Sequence, residues 1–132
     1  MPMDAELRDE LLERASRDQA ARESLGRDHD LRRYQDVIEP VDRANTSRLR
    51  DIIGEHGWPG RQLVGEEAAH AAWLLVQHAP PEFQEECLAL LEEAVALSDA
   101  SPRDLAYLRD RCLCAGARSR STGPSTCSGT AP

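Results

Sequence analysis

The segment 56–80 limits what this chain can become. It opens on His56-Gly57-Trp58-Pro59 and turns through Gly60 to Val64-Gly65. It then stays apolar, save His70, over 68–76 before closing on Gln77-His78-Ala79-Pro80. A glycine with a proline two residues on stops one helix, and Glu66 and Glu67 sit where a macrodipole favours negative charge at the start of the next. A helix that is apolar nearly all round must be covered on most sides. The pattern predicts a central rod after Gly65 with the other helices wrapped around it.

Those other helices have their own signals. Leu7, Leu11, Ala15, Gln19 and Arg22 recur at spacings of three and four, predicting a helix over 3–25 that Gly26 stops. Residues 27–33 read as a charged connector, either a weak helical turn or a loop. Pro40 suits a first helical position, and Val41, Asn45, Leu49, Ile52 and Ile53 mark the inner face of a helix over 40–55. Pro80-Pro81 opens a fourth helix carrying Phe83, Cys87, Leu88, Leu90, Leu91, Ala94 and Val95. Ser101-Pro102 caps and starts a fifth, carrying Leu105, Tyr107 and Leu108 to Arg111. The expected fold is all-α, a compact bundle of about five helices over 1–111. Residues 112–132 lose all periodicity and read as a disordered tail.

A chain of 132 residues is long enough to bury one core without metal or disulfide help. Acidic residues outnumber basic ones 24 to 16, for a formal charge of -8, which speaks against nucleic acid as a partner. No stretch nears the roughly 20 apolar residues that cross a bilayer, and the acidic N-terminus is no secretory signal, so a cytoplasmic protein with no membrane partner is expected. All 16 basic residues are arginine; with the many alanines, this suggests a GC-rich bacterial gene.

Several pieces together resemble a bacterial family of unknown function (domain of unknown function 6624): Asp18-Gln19-x-x-Arg22, Asp42-x-x-Asn45, Gly57-Trp58-Pro59, Val64-Gly65, Ala72-Trp73 leading into Gln77-His78, and Leu108-x-Asp110-Arg111. The resemblance covers residues 15 to 111 and brings no activity with it. Members of that family end on Tyr-Gly-Thr-Gln where this chain has Ser121-Thr122-Gly123-Pro124-Ser125. That run can be encoded as TCT-ACG-GGA-CCC-AGT, and reading such a coding from the last base of its first codon gives TAC-GGG-ACC-CAG, which is Tyr-Gly-Thr-Gln. The tail from Cys112 is therefore expected to be out of the family's frame, leaving Cys87 as an ordinary buried thiol. Cys112, Cys114 and Cys127 do not have a zinc spacing and have no nearby histidine, so neither metal nor disulfide is assigned. No cofactor is expected.

Candidate chemistry collects on polar residues. His78 titrates near neutrality and suits a general acid or base; Gln77 would orient substrate, and Asp110-Arg111 would supply a carboxylate and an anion clamp. The structural reading has His78 capping an apolar helix, with Gln77 and Asp110 tying helices together. Gln19, Arg22, Asp42, Asn45, His56 and Trp58 are the candidate binding positions. Asp18 and Arg22 are also explained as an exposed i,i+4 ion pair, Asp42 and Asn45 as cap and turn residues, and His56 as a C-terminal cation. Gln19, on the apolar stripe, needs a buried partner. Trp58 is expected to fold back onto its helix end. Two functions follow: an interaction or adaptor module with an unknown protein partner, or a small hydrolase-like enzyme built on His78, Gln77 and Asp110.

Overall fold

The computed structural model describes residues 3–25 and 31–120, and side chains within them except at 31 and 115–120. Five long helices account for the architecture: α1 (Ala5–Leu25), α2 (Glu39–His56), α3 (Arg61–Gln77), α4 (Pro81–Ala96) and α5 (Pro102–Arg120), with no strand among the described residues. Leu31–Arg33 and a π-helical stretch, Tyr34–Ile38, run directly into α2. Pro40 thus stands in the first turn of α2 as expected, but that helix is entered from a π turn and not from a loop. Its ring would clash with the carbonyl four residues back and it has no N–H to give; the wider π turn accommodates both.

Helix α3 is the rod the sequence predicts, in contact with α1, α2, α4 and α5. Val64, Ala68, Ala71, Ala72, Leu75 and Val76 are all buried along it. Gly65 interrupts it at φ 84°, ψ 165°, a conformation open essentially only to glycine, so 61–64 is a leading turn and the rod proper begins at Glu66. Asp99, in the loop before α5, caps that turn: its carbonyl accepts from Arg61 N at 2.8 Å and its Oδ1 from Gln62 N at 2.8 Å. A side chain at Gly60 would collide with Asp99.

Helix α1 runs parallel to α3. Asp4 N donates to Leu63 O at 2.7 Å at one end, and Asp18 meets His78 at the other. Helix α2 runs antiparallel to α1, with Arg48 on Glu10, Arg14 on Asn45 and Arg22 on Asp42 marking successive turns. Ser101 Oγ accepts from Asp104 N at 3.4 Å and begins α5 as expected. That helix continues past Arg111 to Arg120, beyond the predicted end, and Cys112 is buried in the core. Cys87 and Cys112 are free thiols, whereas Cys114 is disulfide-bonded, contrary to expectation. Cys127 and the Tyr-Gly-Thr-Gln frame at 121–125 lie outside the described residues. Among the described residues no helix is long and apolar enough to cross a membrane.

Candidate active site

The C-terminal ends of α1 and α3 and the N-terminal part of α2 converge, and four ionisable side chains meet there. His78, the C-cap of α3, has Nδ1 2.8 Å from Asp18 Oδ2. Asp18 is 1% exposed. Its other oxygen accepts from Arg22 Nε at 3.2 Å, and Arg22 Nη2 reaches Asp42 Oδ1 at 2.8 Å and Oδ2 at 3.0 Å. The guanidinium thus bridges the two carboxylates. The Nδ1–Oδ2 contact is at ion-pair distance but off the line of a straight hydrogen bond; such contacts in unliganded sites commonly tighten when substrate binds.

Helical geometry explains why Asp18 is inside. At 100° per residue Asp18 lies about 20° from Leu7 around the helix, whereas Gln19 lies about 120° away. The buried stripe is therefore Leu7, Leu11, Asp18, with Arg22 at its edge, and Gln19 is exposed, not buried as expected. The Asp18–Arg22 pair is no surface pair either: its carboxylate is fully enclosed.

Burial pushes the His78 pKa below its ordinary value; the Asp18 carboxylate works against this, and the Arg22 charge adds to it. Burial likewise raises the Asp42 carboxyl, although Arg22 beside it pulls the other way. Burial opposes the charge on Arg22, but Asp42 and Asp18 outweigh it and the guanidinium pKa is raised. The imidazole is therefore neutral at neutral pH. Nδ1 is sealed from solvent beside Asp18, and His78 lines an open cavity of about 620 Å³. Glu39, Asp42, Arg43, Thr46, Ser47 and Arg50 of α2 and, from the π segment, Tyr34 form its other polar walls.

One oxygen from each of Asp18 and Asp42 and one nitrogen of His78 lie within 4.8 Å of one another, a set of atoms that a divalent cation could use. The Arg22 guanidinium already bridges both carboxylates, and its fixed charge would stand beside any such ion. The set is committed to that cation.

The remaining positions divide. Gln77 is buried next to His78; its carbonyl accepts from Gln84 Nε2 at 3.0 Å and from Arg111 Nη1 at 2.9 Å. Arg111 thus ties α5 to the end of α3. Asp110 is half-buried with partners of its own and does not line the cavity. Asn45 is no turn residue: it is buried mid-helix and accepts from Arg14 Nη1 at 3.1 Å. His56 is exposed, 3.8 Å from Glu55, and Trp58 is in the core. Of the cavity wall from α2 the sequence reading named only Asp42 and missed Arg43, Ser47 and Arg50. It also missed a second histidine pair, His70 Nδ1 3.0 Å from Asp104 Oδ2, with His70 stacked on Trp73 and Trp73 Nε1 donating to Asp104 O at 2.8 Å. Their spacing of 34 residues carries no local signal.

Fold and site together describe a small all-helical domain with a buried carboxylate–imidazole pair at the mouth of a polar cavity. The chain belongs to the family of unknown function DUF6624, which it matches over residues 5–124. That match starts earlier and ends later than the 15–111 expected. No curated protein and no solved structure matches the chain.

Proposed function

We propose that the cavity over His78 is the active site of a small hydrolase-like enzyme with His78 as general base. The observation that carries this reading is the fully buried Asp18 carboxylate 2.8 Å from Nδ1 of His78, whose ring lines the cavity and leaves Nε2 as the nitrogen not committed to Asp18. In the proposed step, Nε2 takes a proton from water. The resulting hydroxide attacks an electrophilic carbon or phosphorus, and the bond to the leaving group breaks. The imidazolium then returns its proton to the leaving group. Asp18 holds Nδ1–H and offsets the transient positive charge, which the C-terminal end of α3 also favours. Arg22 and Asp42 keep the Asp18 carboxylate in place. Gln77, Asp110 and Arg111 take no part in this step; Arg111 and Gln84 position the chain around His78.

Two measurements test it. Turnover of 4-nitrophenyl acetate and 4-nitrophenyl phosphate is expected to fall on the order of 100-fold or more in His78→Gln while the helical circular dichroism persists. Carbethoxylation of His78 by diethyl pyrocarbonate, followed by mass spectrometry against pH, needs no substrate. Its midpoint is expected below the ordinary 6.5 and should move in Asp18→Asn. An unmoved midpoint at or above that value overturns the reading. The alternative, an interaction or adaptor module, rests on the acidic composition, the charged helix faces and the lack of a catalytic signature in the sequence.

A further inference from the structure

We infer that the ligand of this cavity carries an anionic oxygen group, a carboxylate or a phosphate, held by Arg43 and Arg50 with Ser47 between them. The inference rests on the cavity being the functional site and names the class of molecule it takes.

Register comes first. Arg43, Ser47 and Arg50 follow one another at i, i+4 and i+7 on α2, so they share one face, and all three line the cavity with His78. At 1.5 Å per residue, Arg43 and Arg50 are separated by about 10 Å along the axis. Two long guanidinium side chains at that spacing can converge on a single small group, with the Ser47 hydroxyl as a further donor.

Availability comes second. Among the described residues, Arg48 of the same helix is tied to Glu10 at 2.7 and 3.0 Å, but Arg43 makes no ion pair or hydrogen bond. Arg50 is held in orientation. Its guanidinium carbon sits 4.6 Å above the Phe83 ring, and Nη1 donates to Glu86 at 3.1 Å. A planar guanidinium fixed by stacking keeps other N–H groups to offer, in the fork geometry that matches carboxylate and phosphate oxygens.

Charge comes third. Of the acids lining the cavity, Asp42 has its charge met by Arg22. Glu39 is the other, eleven residues before Arg50 and so about 16 Å from it along the helix. Arg50 shares its charge with Glu86, so the unmet positive charge on this wall is that of Arg43, and an anionic end settles between Arg43 and the remaining N–H groups of Arg50. In a chain of formal charge -8, long-range attraction cannot draw an anion in; only local guanidinium contacts can hold it. A volume of about 620 Å³ suits a small metabolite-sized molecule.

The test titrates inorganic phosphate and, separately, acetate into the ¹⁵N-labelled full chain at matched ionic strength. Saturable shifts centred on Ser47 and His78 are expected, weakened roughly tenfold or more in Arg43→Gln and in Arg50→Gln. His78→Gln should retain binding. Saturation by phosphate alone assigns a phosphate ligand, and saturation by acetate alone a carboxylate. Failure of both anions to saturate, or an Arg43→Gln chain that binds as well as the parent, overturns the inference. Should anion binding depend on the arginines while His78→Gln leaves turnover intact, the general-base reading fails and the anion site stands. Should hydrolysis of neutral 4-nitrophenyl acetate need His78 with no anion bound, the reverse holds.

Discussion

Replacing Arg22 with methionine keeps the methylene packing and removes one charge, so the loss reports on the guanidinium. In the folded protein that group faces Asp18, at 1% side-chain exposure, and Asp42, at 15%, while being 26% exposed itself. Breaking a fully buried ion pair costs about 3–5 kcal/mol, because the partner is left charged and unmatched. Arg22 is partly wetted, so an expectation of about 2–4 kcal/mol at pH 8 follows. That cost is also pH-dependent. In the parent the folded His78 pKa lies below its unfolded 6.5, so the unfolded chain binds more protons as pH falls through that window and stability is lost on acidification. Arg22 helps to push His78 down and pulls the Asp42 carboxyl down too. Without it both groups bind protons more readily in the folded state. The penalty should therefore shrink by roughly 1 kcal/mol between pH 8 and pH 5.5. Urea unfolding of parent and variant at the two pH values, with unchanged m-values, measures this. A penalty at pH 8 within the few tenths of a kcal/mol typical of a surface pair, or one independent of pH, would refute the picture of a buried network closed by Arg22.

Gly65→Ala places a side chain at φ 84° and is expected to cost about 1–3 kcal/mol by thermal or urea melting; a neutral result would mean the break in α3 is not required. Gln84→Leu leaves the carbonyls of Val76 and Gln77 without the donor now at 3.1 and 3.0 Å. A loss of about 1–3 kcal/mol is expected, together with a shift of the His78 ring resonances. Burial pushes the Cys87 thiol up to about 12, so iodoacetamide at pH 8 should label it only through global unfolding; native labelling at a model-thiol rate would contradict its place in the core.

Most of the helix plan was legible because prolines and glycines punctuate it. Gly57, Pro81 and Ser101-Pro102 each sit at a boundary that the structure confirms. Pro40 was legible only in part: a proline at a helix start and one accommodated by a π turn leave the same mark in the sequence. The site was less legible. Residues 18, 22, 42 and 78 were all singled out or carried by the family pattern, but the pairing of His78 with Asp18 joins positions 60 apart, and no periodicity encodes it. Counting every fourth residue from Leu11 also drew Gln19 inward in place of Asp18, a one-residue slip that accumulated angle explains. The rest of the α2 wall was invisible for another reason: Arg43, Ser47 and Arg50 are polar residues on an exposed helix face, and only the neighbouring segment at 78–80 turns that face into a cavity.

The glycine break at position 65 has a mechanical consequence. From Glu66 to Gln77 the rod spans about 18 Å, with the anchoring of its leading turn to Asp4 and Asp99 at one tip and the imidazole at the other. Robustness and chemistry thus sit at opposite poles of a single strut. An engineer could reinforce the Asp4–Leu63–Asp99 end without disturbing the proton-handling end.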